Sequence, residues 1–492
     1  MMTAYFPLSL PPGVYRNGTE FESKGRYYDA SLIRWIDRDL RPIGGWQKRS
    51  VSQVTGAARA IQAWRDNSGA TWLGIATHSH LYASNRAGDI YDITPTGFVV
   101  GRSDAVTGGG YGMGDFGVGF YGTPRPDNTL IQDATVCTLD TWGQNLLMVS
   151  PDDGKIYEWA LNTASPAAAV ANAPSCKALV VTPERFVLAL GAANDQRNVA
   201  WCDQEDNTDW TPTDTNQAGS FPLQTAGSLM CGKVIQGGTL LFTDVDAWLA
   251  AYTADTLVYR FTRVGSACGV VSRQCVAALD ARAVWMGRNS FWLYNGYVQP
   301  LACEVADYVF SDINSLQLSK IYAVRNSAFD EIEWHYCSSG SNEIDRCVIW
   351  NYRDNYWNIG RPSRLCGTDR GVFQHPIMID ADGYLYDHEV GFNYDGDIPY
   401  AESGPVEIGN GDQMIYADQL IPDERTAGQV TITLTTRQFP NGAASVHGPY
   451  ALASPTNVRI TGRQAKMRYT AAMMADWRVG SPRLAMSGGG RR

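Results

Sequence analysis

A glycine-rich segment offers the first residue types that could do chemistry. Residues 108–122 read GGGYGMGDFGVGFYG, and eight of these fifteen residues are glycine. Glycine loops hold phosphate groups when they follow a strand, open a helix and carry Lys-Ser or Lys-Thr, and none of these features is present. The alternative is a loop whose rings pack on a surface while its glycines allow close backbone approach. We predict a subunit contact or channel lining at the mouth of a ring, made by Tyr111, Asp115, Phe116, Phe120 and Tyr121.

Histidine and acidic residues could bind a metal or catalyse hydrolysis. His78 and His80 alternate within a predicted strand, so both rings would point to one face, but no suitable third ligand is nearby. Glycoside hydrolysis needs two carboxylates at one rim, and the sequence does not identify which two of its fifty acidic residues would meet there. Motifs of serine hydrolases, zinc proteases and calcium loops are missing. The sequence therefore predicts a protein that is not an enzyme, with no metal site and no cofactor.

Basic residues concentrate near the carboxyl terminus of an acidic chain. The protein has a net charge of −10, whereas residues 456–492 carry +7 and residues 1–455 therefore carry −17. A protein that wraps DNA would instead present a broad basic face. We predict ion pairs with a partner subunit, with nucleic-acid contact and a solvated strand face as alternatives. The predicted contacts are Arg459, Arg463, Lys466, Arg468, Arg478 and Arg483.

The composition indicates strands and turns as the elements that carry these residues. Twenty-five tyrosines, fifteen tryptophans and fifteen phenylalanines suit half-buried strands, and forty-nine glycines with twenty-three prolines suit the turns between them. From about residue 55 onward, a loose repeat of roughly 40–50 residues contains several short apolar runs per unit. Such a period is typical of a β-propeller, in which neighbouring blades cover each other's apolar faces.

The predicted fold is all-β, with a propeller of about six blades in residues 56–395. Within it, residues 377–386 form a spare strand pair that could close the ring. Residues 1–55 are predicted to be an extended arm, and residues 396–492 a small β platform module with a flexible tail. Strict alternation in Val430–Thr436 indicates a half-exposed strand of that module. A two-sheet sandwich array is the alternative for the body.

A turn motif supports the propeller. Ser150, Asp152, Gly154 and Tyr157 have the spacing of the Asp-box found in sialidase-like propellers. In that hairpin the acid accepts hydrogen bonds from turn amides, the glycine is left-handed and the aromatic ring packs beneath. The motif therefore predicts an element of the fold and not a catalytic group.

The sequence predicts neither a secretion signal nor a membrane span. Prolines 7, 11 and 12 interrupt the opening apolar run, and no apolar run approaches the ~18–20 residues that a bilayer requires. We therefore expect folding in a cytosol, with the ten scattered cysteines as reduced, buried thiols.

Four parts of the sequence carry a resemblance to a known family. They are PPGVYR at 11–16 with RW at 34–35 and RPIGGW at 41–46; the glycine-rich segment followed by TPR at 123–125; WGQNLLMVSPDDGKIY at 142–157; and GR at 462–463 with DWR at 476–478 and GGRR at 489–492. Together they resemble the tail-nozzle and head-to-tail propeller proteins of short-tailed bacteriophages, some of which stabilise packaged DNA. These four places are spread over the full length of the chain. They are general features of that family, and none of them is a stringent chemical motif.

The resemblance implies a structural role in the virion tail, with assembly in the host cytoplasm. It implies a ring of identical subunits, commonly a homohexamer, below the head-to-tail adaptor. The implied partners are further copies of the chain, the adaptor, other tail proteins and double-stranded DNA that passes without sequence specificity. A channel lined by carboxylates would repel phosphates and let DNA slide during retention and ejection. A glycan-binding or glycosidase-like propeller for receptor recognition is the alternative.

Overall fold

The computed structural model describes residues 4–107, 131–255, 257–407 and 413–488. Within these residues the chain consists almost entirely of short antiparallel strands. Tight turns reverse the chain where glycines such as Gly69 and Gly154 adopt positive φ, a conformation without steric cost for a residue that lacks Cβ. The helical pieces are the α-helix Ala306–Asp312 and the 3-10 helices Glu20–Ser23, Ala192–Asn194 and Leu318–Lys320. The predicted all-β fold is confirmed.

Seven four-stranded antiparallel sheets within the described residues form the blades of a propeller. Blade 1 has Ala58–Arg65, Thr71–Thr77, Leu81–Asn85 and Ile90–Asp92, and blade 2 has Thr138–Trp142, Asn145–Val149, Ile156–Trp159 and Ala168–Ala169. Blade 3 has Ala178–Val181, Val187–Leu190, Asn198–Trp201 and Gly219–Pro222, and blade 4 has Leu229–Ile235, Gly238–Thr243, Ala247–Tyr252 and Tyr259–Gly265. Blade 5 has Val276–Leu279, Arg282–Met286, Phe291–Tyr294 and Val298–Leu301, and blade 6 has Tyr322–Asn326, Glu331–Tyr336, Arg346–Asn351 and Tyr356–Gly360.

The amino-terminal arm completes blade 7. This blade contains Cys366–Thr368, Ile377–Ile379 and Leu385–His388, and its fourth strand is Trp46–Lys48, which pairs with Leu385–His388. The sequence predicted about six blades and a spare strand pair in this region. The structure has seven among the described residues, because the strand that completes the last blade comes from the other end of the chain.

The first strands of the seven blades surround the propeller axis. Each contacts the first strands of the two neighbouring blades, and the contact between Ala58–Arg65 and Cys366–Thr368 closes the circuit. Apolar side chains fill the spaces between blades, as where Leu147 and Val149 pack with Leu179 and Val187. Each sheet therefore buries its faces against its neighbours.

Two further sheets form the platform, and the arm supplies one strand to each. The first has the order Ala4–Pro7, Arg483–Gly488, Ile415–Ile421 and Thr456–Gly462. The second has the order Tyr27–Ser31, Tyr400–Ser403, Gln464–Ala471, Val430–Arg437 and Ser445–Ala451, with Val406–Glu407 also paired to Gln464–Ala471. The alternation predicted at 430–436 is confirmed, since Val430, Ile432 and Leu434 are buried between half-buried threonines.

The platform and the propeller share one hydrophobic core. A hairpin of the arm, Ile33–Ile36 with Asp39–Pro42, places Trp35 between the two bodies. Its ring centroid lies 5.1 Å from that of Tyr27 in the platform and 5.5 Å from that of Tyr356 in blade 6. Because all three rings are buried, the arm attaches the platform to the rim of the propeller.

No helix among the described residues is long and apolar enough to cross a bilayer.

Candidate functional site

The glycine-rich loop lies within residues 108–130, outside the described part of the chain. The predicted contacts Tyr111, Asp115, Phe116, Phe120 and Tyr121 therefore stay predictions. The described residues on either side are joined, because Val106–Thr107 pairs with Ile131–Gln132.

Interactions with blades 1 and 6 hold the base of this strand pair. Arg59 in blade 1 donates to the Ser103 carbonyl, 3.1 Å away, and forms two hydrogen bonds with the Glu343 carboxylate, at 2.7 and 2.8 Å. The buried ammonium of Lys320 lies 2.5 Å from the Asp104 carboxylate. The structure thus fixes the chain entering and leaving the loop close to the first strands of the propeller.

A depression of about 250 Å³ lies beside this base, on the face where the first strands begin. Its charged lining groups are Arg102, Asp133, Asp152, Lys177 and Arg273. Arg102 donates to Asp152 at 2.9 Å, whereas burial raises the pKa of Asp133 and lowers that of Arg273. The depression on the axis of one propeller is therefore lined by charges of both signs.

Two of the predicted basic contacts bind acidic residues within the platform. The ammonium of Lys466 lies 2.5 Å from the carboxylates of both Glu20 and Glu402. Arg468 forms a 3.0 Å ion pair with Glu402, and its guanidinium stands 3.7 Å from the ring centroid of Tyr400. These two cations therefore tie the arm and the platform strands together inside one molecule.

The remaining predicted basic contacts differ in exposure. Arg478 is half-buried and pairs with Asp476 at 3.4 Å. Arg459 and Arg483 are exposed, on the strands Thr456–Gly462 and Arg483–Gly488 of the first platform sheet, and Arg463 donates its backbone N–H to the Arg437 carbonyl. Arg459 and Arg483 are thus exposed positions from which a partner could be reached.

A cluster of charged side chains joins the arm to blades 6 and 7. The sequence analysis did not predict this contact. Arg34 forms two hydrogen bonds to Glu331 in blade 6, at 3.1 and 2.7 Å, and two to Glu389 after blade 7, at 2.9 and 2.7 Å. Its guanidinium also lies 3.5 Å from the ring centroid of Phe329. The Arg34 side chain is 4% exposed and that of Glu331 3%, so both charges depend on one another for solvation.

Protein stability is expected to fall as the pH rises from about 5 to about 8, because of Glu331. Burial raises the pKa of Glu331 to about 7 against the opposing effect of Arg34, while the unfolded value is near 4.5. The contribution of protonated Glu331 to the free energy of unfolding is therefore fully present below pH 4.5. It is lost as the pH rises through 7. Urea unfolding at both pH values should show the native chain losing about 1–3 kcal/mol more than the Glu331→Gln variant. Equal losses would contradict this assignment.

The histidines and the Asp-box take local structural roles. His78 lies in a turn after Thr71–Thr77, not within a strand, and its Nδ1 accepts a hydrogen bond from the Ala57 amide at 3.0 Å. In the Asp-box, Gly154 is left-handed as predicted, but Asp153 rather than Asp152 accepts the turn amide of Lys155. Among the described residues, no three His, Cys, Asp or Glu side chains converge on a common metal position.

No family model and no curated protein matches the sequence. Solved structures that are similar include virginiamycin B lyase from Staphylococcus aureus, at 7% identity, with 70% of this chain and 98% of that chain covered and a TM-score of 0.42. The Pan2 WD40 domain of Neurospora crassa is 8% identical, with 72% and 97% covered and a TM-score of 0.39. A glycoside hydrolase is 7% identical, with 87% and 98% covered and a TM-score of 0.28. These identities and TM-scores are too low to indicate anything about the activity of this chain.

Proposed function

We propose that the protein is a non-enzymatic structural subunit of a bacteriophage tail, located in the nozzle or tail-tube ring below the head-to-tail adaptor. Copies of the chain, commonly six, surround a channel through which double-stranded DNA is retained and then ejected. The partners are further copies of the chain, the adaptor and neighbouring tail proteins. Assembly takes place in the host cytoplasm before the ring becomes part of the virion.

The observation that carries this proposal is the way the arm connects the propeller to the platform. Residues 4–55 supply Trp46–Lys48 to blade 7 and one strand to each platform sheet, Ala4–Pro7 and Tyr27–Ser31. A subunit of a ring that withstands the pressure of packaged DNA needs its parts to move as one body. The shared core and the buried Arg34 cluster supply that connection.

The charge distribution supports a channel formed between copies rather than through one propeller. The axial depression carries both cations and carboxylates, so it is not suited to repel DNA. The body as a whole is acidic, with −17 in residues 1–455, and carboxylates repel phosphates. A ring of such bodies would enclose a passage along which DNA moves without sticking.

The tryptophan positions give no support to glycan recognition, the alternative role. Glycan-binding sites stack sugars on exposed aromatic rings, above all tryptophan. All fifteen tryptophans lie among the described residues, and each is buried or only partly exposed. The tryptophans therefore serve the core, where rings such as Trp285 and Trp334 are fully buried.

Self-association is the expected solution behaviour of the purified protein. Multi-angle light scattering over a concentration series should show a ring-sized oligomer, about six times the 53.9 kDa of one chain, at high concentration. A variant with Arg459→Glu and Arg483→Glu should shift the equilibrium toward the monomer, since both side chains are exposed on the platform sheet. A native chain that stays monomeric at high concentration, with or without the adaptor, would count against the proposal.

A further inference from the structure

A second concave surface lies between blades 7 and 1, on the opposite ends of their strands from the axial depression. It encloses about 390 Å³ and is lined by Arg49, Arg65, Arg86, Val372, Phe373, Gln374, His375 and Asp387. The three arginines come from three places: the end of the arm's last strand, the end of the first strand of blade 1, and the turn before its fourth strand. The fold thus brings together three arginines that belong to different strands and turns.

One of these arginines is held rigidly in place. Arg49 donates to both carboxylate oxygens of Asp387, at 2.9 and 3.2 Å, and to the backbone carbonyl of Arg86. Its guanidinium also lies 4.8 Å from the ring centroid of buried Phe373. Asp387 neutralises Arg49, and the contact with the Arg86 backbone fixes the position of the Arg86 turn.

The other two arginines have no acidic partner among the described residues. Arg65 and Arg86 are exposed, and neither forms an ion pair there. The carboxylate of Asp66, next to Arg65, instead accepts hydrogen bonds from Ser68, Ala70 and Trp72. Asp89, in the turn of Arg86, accepts one from the Asn85 side chain. The residues that line the depression thus include three arginines against one carboxylate, that of Asp387, on a protein whose net charge is −10.

We propose that this depression binds a phosphate group. Guanidinium groups donate pairs of parallel hydrogen bonds to phosphate oxygens, and a concave site with several such donors is selective for this geometry. Arg65 and Arg86 supply the unneutralised charge, with the side chains of His375 and Gln374 at the same wall. A bound phosphate would link the arm, blade 7 and blade 1 across the point where the propeller closes. The phosphate belongs either to a free or terminal phosphate ligand or to the phosphodiester backbone of DNA.

Two probes and two double variants of the full chain test this assignment. Isothermal titration with inorganic phosphate, with sodium chloride holding the ionic strength constant, should show saturable binding. The variant Arg65→Gln/Arg86→Gln should bind at least about tenfold more weakly, because it loses two charge-assisted contacts. The matched control is Arg260→Gln/Arg282→Gln, which removes two exposed arginines elsewhere on the propeller and should bind as the native chain does.

A short DNA duplex distinguishes the two sources of phosphate. The affinity of the same proteins for a labelled duplex is measured by fluorescence anisotropy. If the site binds a phosphodiester backbone, this affinity should fall in Arg65→Gln/Arg86→Gln and not in the control. If phosphate binding is lost while duplex binding is unchanged, the ligand is a free or terminal phosphate. The proposal is overturned if neither probe responds to Arg65→Gln/Arg86→Gln, or if the control variant loses as much binding.

Discussion

Replacing Arg34 by alanine is expected to lower the free energy of unfolding by about 3–5 kcal/mol. The substitution leaves the buried carboxylate of Glu331 and the half-buried carboxylate of Glu389 without the cation that pairs with both. The side chain of Arg34 also covers the Phe329 ring, so packing is lost along with the ion pairs. Urea unfolding monitored by tryptophan fluorescence would measure the change.

A control on the same hairpin separates this effect from simple loss of an arginine. Arg41 forms a 3.4 Å ion pair with Asp476, which is partly exposed, and Arg41→Ala should cost less than about 1 kcal/mol. A triple variant, Arg34→Met with Glu331→Gln and Glu389→Gln, removes all three charges of the cluster. It should recover a large part of the lost stability. Equal losses for Arg34→Ala and Arg41→Ala would contradict the account of the cluster.

Replacing Trp46 by alanine is expected to cost about 3–5 kcal/mol and to weaken the closure of the propeller. Trp46 is 6% exposed and begins the arm strand that completes blade 7. Its ring stacks on His388 at 5.3 Å and meets Tyr394 edge-on at 5.4 Å, while Arg364 lies 4.8 Å from the ring centroid. The substitution therefore empties a site between the arm and the last blade.

The next residue of the same strand provides the matched control. The Gln47 side chain is exposed, and Gln47→Ala leaves the backbone pairing with Leu385–His388 in place. Its effect on the unfolding free energy should stay within about 0.5 kcal/mol. Limited proteolysis should also cut the arm of Trp46→Ala faster than that of Gln47→Ala. If both variants are cut at the native rate, the strand does not hold the ring closed.

The strands of the propeller body could be predicted because their signal is local. For example, the mainly apolar stretch of sequence at 239–242 is part of the observed strand Gly238–Thr243, and the one at 186–190 overlaps the strand Val187–Leu190. Each blade buries its apolar side chains against its neighbours, so every strand carries an apolar pattern that can be read without knowledge of its partners. The same reasoning correctly identified the half-exposed strand at 430–436.

Pairings between distant parts of the chain could not be predicted. Nothing in the sequence around Trp46 indicates that His388 will be its partner in the sheet, and the count of blades depends on that pairing. The partners of Arg34 lie 297 and 355 residues away, and a sequence with fifty acidic residues does not identify them. Likewise, the sequence around Lys466 does not indicate that the folded chain places its ammonium against Glu20 and Glu402.

Electron microscopy of the purified protein, alone and on its parent particle, tests the proposed function most directly. Class averages should show rings, commonly of six copies, around an open channel. Antibodies against the chain should label the tail of the particle, below the junction with the head. Single propellers without ring order, together with particles labelled elsewhere or not at all, would contradict the assignment to the tail.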